Sequence, residues 1–249
     1  MTHNDKVVKI WISSKIQLIC VITASILWLI SILLWKQNLL DNNIILLHNP
    51  IYSNELAQSF FHFFSGYGLP LITITYIVNL FISKRNPEMQ NVFEIYLLII
   101  FSFALSGIAG DLLKEIINRA RPAAALAGEI IRTSVSDTPS LPSGHSTKSI
   151  ALVLPYIVFA SNKPDFNKLI KLILMTIALL VCYSRLALQA HYLSDILAGI
   201  GTAFIFLPLS VTFTNSLYRR RNMYYSGLAK FVQKIGFILI FLTIIFCVM

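Results

Sequence analysis

The sequence predicts an all-α polytopic membrane helix bundle, and three observations carry that prediction. Hydrophobic residues make up 56% of the 249-residue chain and charged residues only 12%, against roughly 25% charged in a soluble globular domain. The uncharged stretches are long: Ile16 to Trp35 holds no Asp, Glu, Lys or Arg, and about twenty residues at ~1.5 Å each cross a ~30 Å hydrocarbon core. Charged residues gather between those stretches, where they act as topology signals. In a soluble chain a net charge of +9 would point to nucleic acid; here it implies no such partner, and the bilayer itself is the first one.

Lys6, Lys9 and Lys15 precede the first run. That run is too long for the apolar region of a signal peptide and no small-residue cleavage site follows it, so it reads as a retained span. Residues 36–55 form a polar, Asn-rich connection. The second uncharged run covers Leu56 to Ser83, and Gly66 and Pro70 place the start of its helix near them, after a Phe-rich interfacial stretch. The third run, Ile95 to Gly110, ends unusually, with Asp111, Lys114, Glu115, Arg119 and Arg121 at close spacing. A loop from Pro122 to Pro142 then leads into Pro142-Ser143-Gly144-His145 and a fourth run, Ser149 to Asn162. The fifth and sixth runs are Leu172 to Ser184 and Ile196 to Tyr218.

The last run, Ile235 to Met249, is short for a span, but Lys230 and Lys234 can snorkel and lengthen it. The expectation is therefore six core transmembrane helices with a seventh at the C-terminus. No repeat or linker divides the chain, which reads as a single domain over residues 1–249. Cys20, Cys182 and Cys247 each lie inside an apolar run, without the spacing of a disulfide framework or a zinc site.

Basic residues orient the bundle. With the N-terminus inside, the inner segments hold Lys6, Lys9, Lys15, Lys84, Arg85, Lys163, Lys168, Lys171, Arg219, Arg220, Arg221, Lys230 and Lys234, a clear majority of the 20 basic residues. Four run ends then emerge together on the outer side and deliver Lys114, Arg121, His145, Arg185, His191 and Asp195 to one level of the membrane.

That set of charges calls for an anion. His191 and Asp195 are four apart, so a carboxylate can hold one imidazole nitrogen and leave the other as nucleophile or base. Arg185 would point away from His191 on a continuous helix, so a break is expected between them. Lys114 and Arg121, seven apart, line one face if their helix continues that far. Ser143 is placed to cap the fourth helix, and Gly144 lets its backbone approach a ligand; free N–H groups there suit a phosphate. Taken singly, each motif also has a plainer reading, as an ordinary capped helix start or a helix-end arginine with a chance His/Asp pair.

Taken jointly, Lys114-x6-Arg121-Pro122, Pro142-Ser143-Gly144-His145 and Ser184-Arg185-x5-His191-x3-Asp195 resemble the three-part signature of the type 2 phosphatidic acid phosphatases, the PAP2 superfamily. Every signature position matches, within residues 114–195; the seventh span is a departure from the family's six-helix core. The resemblance implies that Lys114, Arg121, Arg185, Ser143 and the Gly144 amide hold the phosphate. It further implies that His191 attacks phosphorus to form a phosphohistidine, that Asp195 orients it, and that His145 protonates the leaving oxygen and later activates water. No metal or other cofactor is called for.

The function expected is an integral membrane phosphatase acting on a lipid phosphate or diphosphate at the outer, periplasmic face of a bacterial inner membrane. Diacylglycerol phosphates, undecaprenyl diphosphate and lipid A present the same reacting group, and the oligomeric state is left open. A lipid phosphotransferase would use the same phosphohistidine. The vanadate-dependent haloperoxidases resemble the same signature but have no reason to lie in lipid, and a transporter would not need it. Asp111 and Glu115 read as charge-balancing neighbours, Lys148 as a snorkelling lysine or a contact for a second phosphate, and His48 and His62 as interfacial.

Overall fold

The computed structural model describes residues 12–85, 90–130, 138–160 and 165–218. They form α1 (Ser14–Lys36), α2 (Leu39–Leu46), α3 (Asn49–Ser53), α4 (Glu55–Arg85), α5 (Gln90–Ile117), α6 (Pro122–Ala125), α7 (Gly144–Phe159), α8 (Asp165–Ala187) and α9 (Leu193–Tyr218), with no strand among the described residues. Among the described residues, four stretches are long and apolar enough to cross a bilayer: Ser14–Lys36, Ile95–Ala125, Lys168–Ala187 and Leu193–Ser216. The chain is a multi-pass membrane protein. Its expected seventh span, residues 235–249, lies outside the described residues.

The helices are sorted by what surrounds them. In α1, Leu18, Ile19, Ile22, Ile26, Leu29 and Leu33 are exposed, while Gln17, Cys20, Ala24, Trp28 and Ser31 are buried against α9. The exposed residues between Leu18 and Leu33 are all apolar, while the polar Gln17 and Ser31 turn inward beside Val21, Trp28 and Ile32; that is the reverse of a soluble helix, and it is what lipid demands. α7 is buried almost all round, from Ser149 to Tyr156 without interruption, because α5, α8 and α9 enclose it. Three hydroxyls deep in α9 are satisfied locally: Thr202, Ser210 and Thr214 each donate to the carbonyl four residues back.

Two expectations about helix limits are corrected. α4 begins at Glu55, not near Gly66, and runs through both Gly66 and Pro70. Asn54 caps it by accepting from the Ala57 amide at 3.0 Å, and Phe60, Phe64, Phe63 and Tyr67 stack at helical spacing, so the interfacial stretch is itself helix. The 36–55 connection is also helical, folded as α2 and α3, with α2 against the start of α9.

α7 and α9 approach too closely for a side chain at Gly199. A Cβ there would lie 2.7 Å from the Ser143 carbonyl oxygen and 3.1 Å from the Thr147 amide nitrogen, both backbone atoms. Gly199→Ala should therefore push the start of α7 away from α9 and cost about 1–3 kcal/mol. Thermal unfolding in detergent should show a lowered Tm together with reduced turnover; an unchanged Tm would mean that this contact gives way freely.

Candidate active site

The predicted residues arrive at one end of the bundle because four elements end or begin there. Lys114 is in the last turn of α5, Arg185 near the end of α8, His145 in the first turn of α7, and Asp195 in the first turn of α9. The expected break lies between Ala187 and Leu193. Gln189 takes φ 52° there, and the amides of Ala190 and His191 fold back onto the Arg185 carbonyl at 2.9 and 3.2 Å. That turn brings His191 back to the level of Arg185.

Arg121 reaches the site by a different route from the one predicted. α5 ends at Ile117, Asn118 turns at φ 47°, and Arg121 is the extended N-cap residue of α6, so it shares no helical face with Lys114. The guanidinium is aimed by the loops around it: Nε donates to the Thr138 carbonyl and NH2 to Thr138 Oγ1, both at 2.8 Å, and NH1 donates to the Ala190 carbonyl at 3.1 Å. The same NH1 lies 3.3 Å from His191 Nε2.

This contact fixes the tautomer. A guanidinium only donates, so Nε2 must be the nitrogen with the free electron pair, and the ring proton sits on Nδ1. Nδ1 faces Asp195 Oδ2 at 3.3 Å. The same Oδ2 also accepts from the Tyr192 amide at 2.9 Å and from the Ser140 hydroxyl. His191 is buried, and desolvation outweighs the opposing pull of Asp195, with Arg185 and Arg121 adding to the effect; its pKa is lowered to about 4. At neutral pH the ring is uncharged, with the Nε2 electron pair available.

His145 stands ahead of the apolar run of α7 and is half-buried. Burial, then the charges of Arg185, His191, Lys114 and Lys148, lowers its pKa to about 3. This corner is therefore a concentration of positive charge that Asp111 only partly balances, a setting that favours a bound phosphate. Lys114 is close to the start of α7: a Cβ at Gly144 would lie 3.3 Å from Nζ, so glycine there keeps the lysine and the backbone together. Arg185 NH1 is tied to the Ser65 hydroxyl of α4.

Ser143 is the N-cap residue of α7, as predicted, but its side chain makes no capping bond. The hydroxyl instead accepts from Ser146 Oγ at 3.1 Å, and the Ser143 amide donates to the Asp195 carbonyl at 2.9 Å, which locks the start of α7 to the start of α9. Asp111 is a charge-balancing neighbour in the geometry, 3.9 Å from Lys114 Nζ and 3.4 Å from Lys148 Nζ. His48 is not a bare interfacial residue: Nδ1 is 2.8 Å from the Ile44 carbonyl and the ring packs edge-on against Tyr183.

Several residues around His191 had no task in the sequence reading. Ser140 touches both Asp195 and His191, and Arg119 is buried in contact with Asp195, Ser194 and Asp41. A signal for the pair existed: Asp41 is the only charged residue between Lys36 and Glu55, and Arg119 is a cation at a span end with no place in the signature.

Residues 95–219 match the PAP2 superfamily. The chain belongs to that family. It is 29% identical over 184 residues to phosphatidylglycerophosphatase B of Bacillus subtilis, covering 72% of this chain and 83% of the relative. In fold it is similar to the crystal structure of a transmembrane PAP2-type phosphatidylglycerolphosphate phosphatase from Bacillus subtilis, with a TM-score of 0.61 at 21% identity over 81% of this chain and 98% of that one. As a PAP2 member with a phosphatase relative, the protein is a phosphatase hydrolase.

Proposed function

We propose that this PAP2 phosphatase hydrolyses a lipid phosphate or lipid diphosphate at the outer face of the membrane through a phosphohistidine on His191. The observation that carries the reading is the neutral, buried imidazole whose Nε2 electron pair faces the cationic corner, with its Nδ1 proton held by Asp195. Lys114, Arg121 and Arg185, with the Ser143 hydroxyl and the Gly144 amide, hold the phosphate oxygens and meet the charge of the five-coordinate transition state. Nε2 forms its bond to phosphorus as the ester P–O bond breaks, and His145 delivers a proton to the leaving oxygen. Water, deprotonated by His145, then attacks phosphorus and the P–N bond breaks, releasing phosphate and restoring both rings. Three fixed cations supply the neutralisation, so the reading needs no metal.

His145 is mostly neutral in the free enzyme at working pH, and the substrate itself makes it an acid. A bound dianion stabilises the imidazolium, so its pKa rises from about 3 in the free enzyme and binding takes up a proton across the interval between the two values. Affinity for an inhibitory anion should therefore fall as pH rises through the upper end of that interval. Tungstate, whose charge is constant over the neutral range, reads this without titration of the ligand. The pH slope should vanish in His145→Ala, and a slope that persists there would assign the proton elsewhere.

The outer face is supported by the excess of basic residues in the segments read as inner. The Bacillus relative makes phosphatidylglycerophosphate the first lipid to test, beside phosphatidic acid, undecaprenyl diphosphate and lipid A. Phosphate release should be measured for each in proteoliposomes of known orientation, with a chelator present. Release only from the leaflet on the His145 side, undiminished by the chelator, is the expected result. Loss of activity in chelator with recovery on a divalent ion would overturn the metal-free mechanism. Transfer of phosphate to a second lipid in preference to water would favour a phosphotransferase.

A further inference from the structure

Asp195 is not the end of the chain of contacts behind His191. Arg119, 8% exposed, donates from NH1 to Asp195 Oδ1 at 2.7 Å and to Ser194 Oγ at 2.5 Å, and from NH2 to Asp41 Oδ2 at 2.8 Å. Asp41, on α2, is fully buried; it accepts from the Ser194 amide at 3.3 Å and from the Ser194 hydroxyl. The guanidinium lies over the Tyr192 ring at 4.0 Å and the Trp35 ring at 5.6 Å. One cation thus bridges two carboxylates in a dry setting, held by an element that contributes none of the signature residues.

We infer that Arg119 and Asp41 are positioning residues for phosphoryl transfer, acting on His191 through Asp195. Arg119 pins the carboxylate oxygen that does not face the imidazole, so the other oxygen stays directed at Nδ1. Alone, its charge would cancel that of Asp195. Asp41 offsets it, and the three groups together carry one net negative charge. The imidazole gains positive charge as Nε2 bonds to phosphorus, so this residual charge is placed to stabilise the transition state and not the resting ring. Breaking such a bridge leaves a buried charge without its partner.

The inference rests on His191 as nucleophile, so His191→Ala is assayed alongside. Turnover of a small soluble phosphate ester by detergent-purified full-length protein should show kcat down about 100-fold in Arg119→Ala and about 10-fold in Asp41→Asn, with KM within about threefold. Arg119→Lys, which keeps the charge but not the fork, should fall between wild type and Arg119→Ala. Asp41→Asn/Arg119→Ala should be no slower than Arg119→Ala alone, because Asp41 acts only through Arg119 and the double variant leaves no orphaned Asp41 carboxylate. Wild-type kcat in these variants, a rise in KM at constant kcat, or singles that multiply in the double would each overturn the inference while leaving a dead His191→Ala to support the nucleophile. Should Arg119→Ala fail to fold, Arg119→Lys and Asp41→Asn carry the same test.

Discussion

His191→Ala should reduce turnover by about 10⁴-fold or more, the scale seen when a nucleophile is removed from a covalent mechanism. The ring occupies a buried position between Arg121 NH1 and the Asp195 carboxylate, and among the described residues no other imidazole faces that carboxylate. Wild-type protein quenched during turnover should carry acid-labile phosphate, and the variant should carry none. The variant is expected to fold, since Arg121 keeps its bonds to Thr138 and Ala190 and Asp195 keeps those to Arg119, Ser140 and Tyr192. Turnover within tenfold of wild type by a folded His191→Ala protein would remove the phosphohistidine from the mechanism.

What could be read in the sequence followed from local rules. Uncharged runs mark helices because a bilayer leaves the backbone few other options, and α1, α8 and α9 lie where those runs do. The break between Arg185 and His191 was legible from spacing alone, since six residues on one helix would separate the two side chains. The misreadings arose where tertiary contacts overrule a local signal. Pro70 suits the first turn of a helix, but in α4 it stands inside the helix, which runs on through it. Lys114 and Arg121 look like neighbours on a helix, yet Asn118 turns the chain and Arg121 is aimed instead by Thr138 and Ala190, one 17 and the other 69 residues away in sequence.

The network behind His191 was illegible for a related reason. Asp41 and Arg119 are 78 residues apart and meet only because α2 folds back over the end of α9. No spacing rule links them. A lone acid in an outer connection reads as solvated until the structure buries it. Asn49 behaves alike: it accepts from Gln189 at 2.5 Å and donates to the Glu129 carbonyl at 3.1 Å, so the connection grips the turn before His191 as well as the start of α9. Arg132 and Asp137, polar residues of the stretch between Pro122 and Pro142, lie outside the described residues. The short α2–α3 connection is thereby a wall of the site and not a tether between spans.

Asp195→Asn should lower kcat by about 10³–10⁴-fold with KM changed by only a few-fold, as loss of an orienting carboxylate does in other histidine-dependent sites. The argument is one of donors and acceptors. In the native site Oδ1 accepts from Arg119, and Oδ2 accepts from Ser140, from the Tyr192 amide and from His191 Nδ1. An asparagine can place its oxygen at only one of these positions. With the oxygen toward Arg119, the amide NH2 faces the Tyr192 N–H and the imidazole, which relieves the conflict by moving its proton from Nδ1 to Nε2 and so loses the electron pair that attacks phosphorus. With the oxygen toward His191, the NH2 opposes the Arg119 guanidinium and the side chain is driven off its position. Single-turnover measurement of phosphoenzyme formation separates chemistry from product release, and competitive inhibition by inorganic phosphate, which needs the cations but no bond to Nε2, reports the phosphate pocket. Slow phosphoenzyme formation with near-normal phosphate affinity is the expected result. An equal loss of both would make Asp195 a support of the anion pocket, and phosphoenzyme formation within tenfold of wild type would leave His191 correctly held without it.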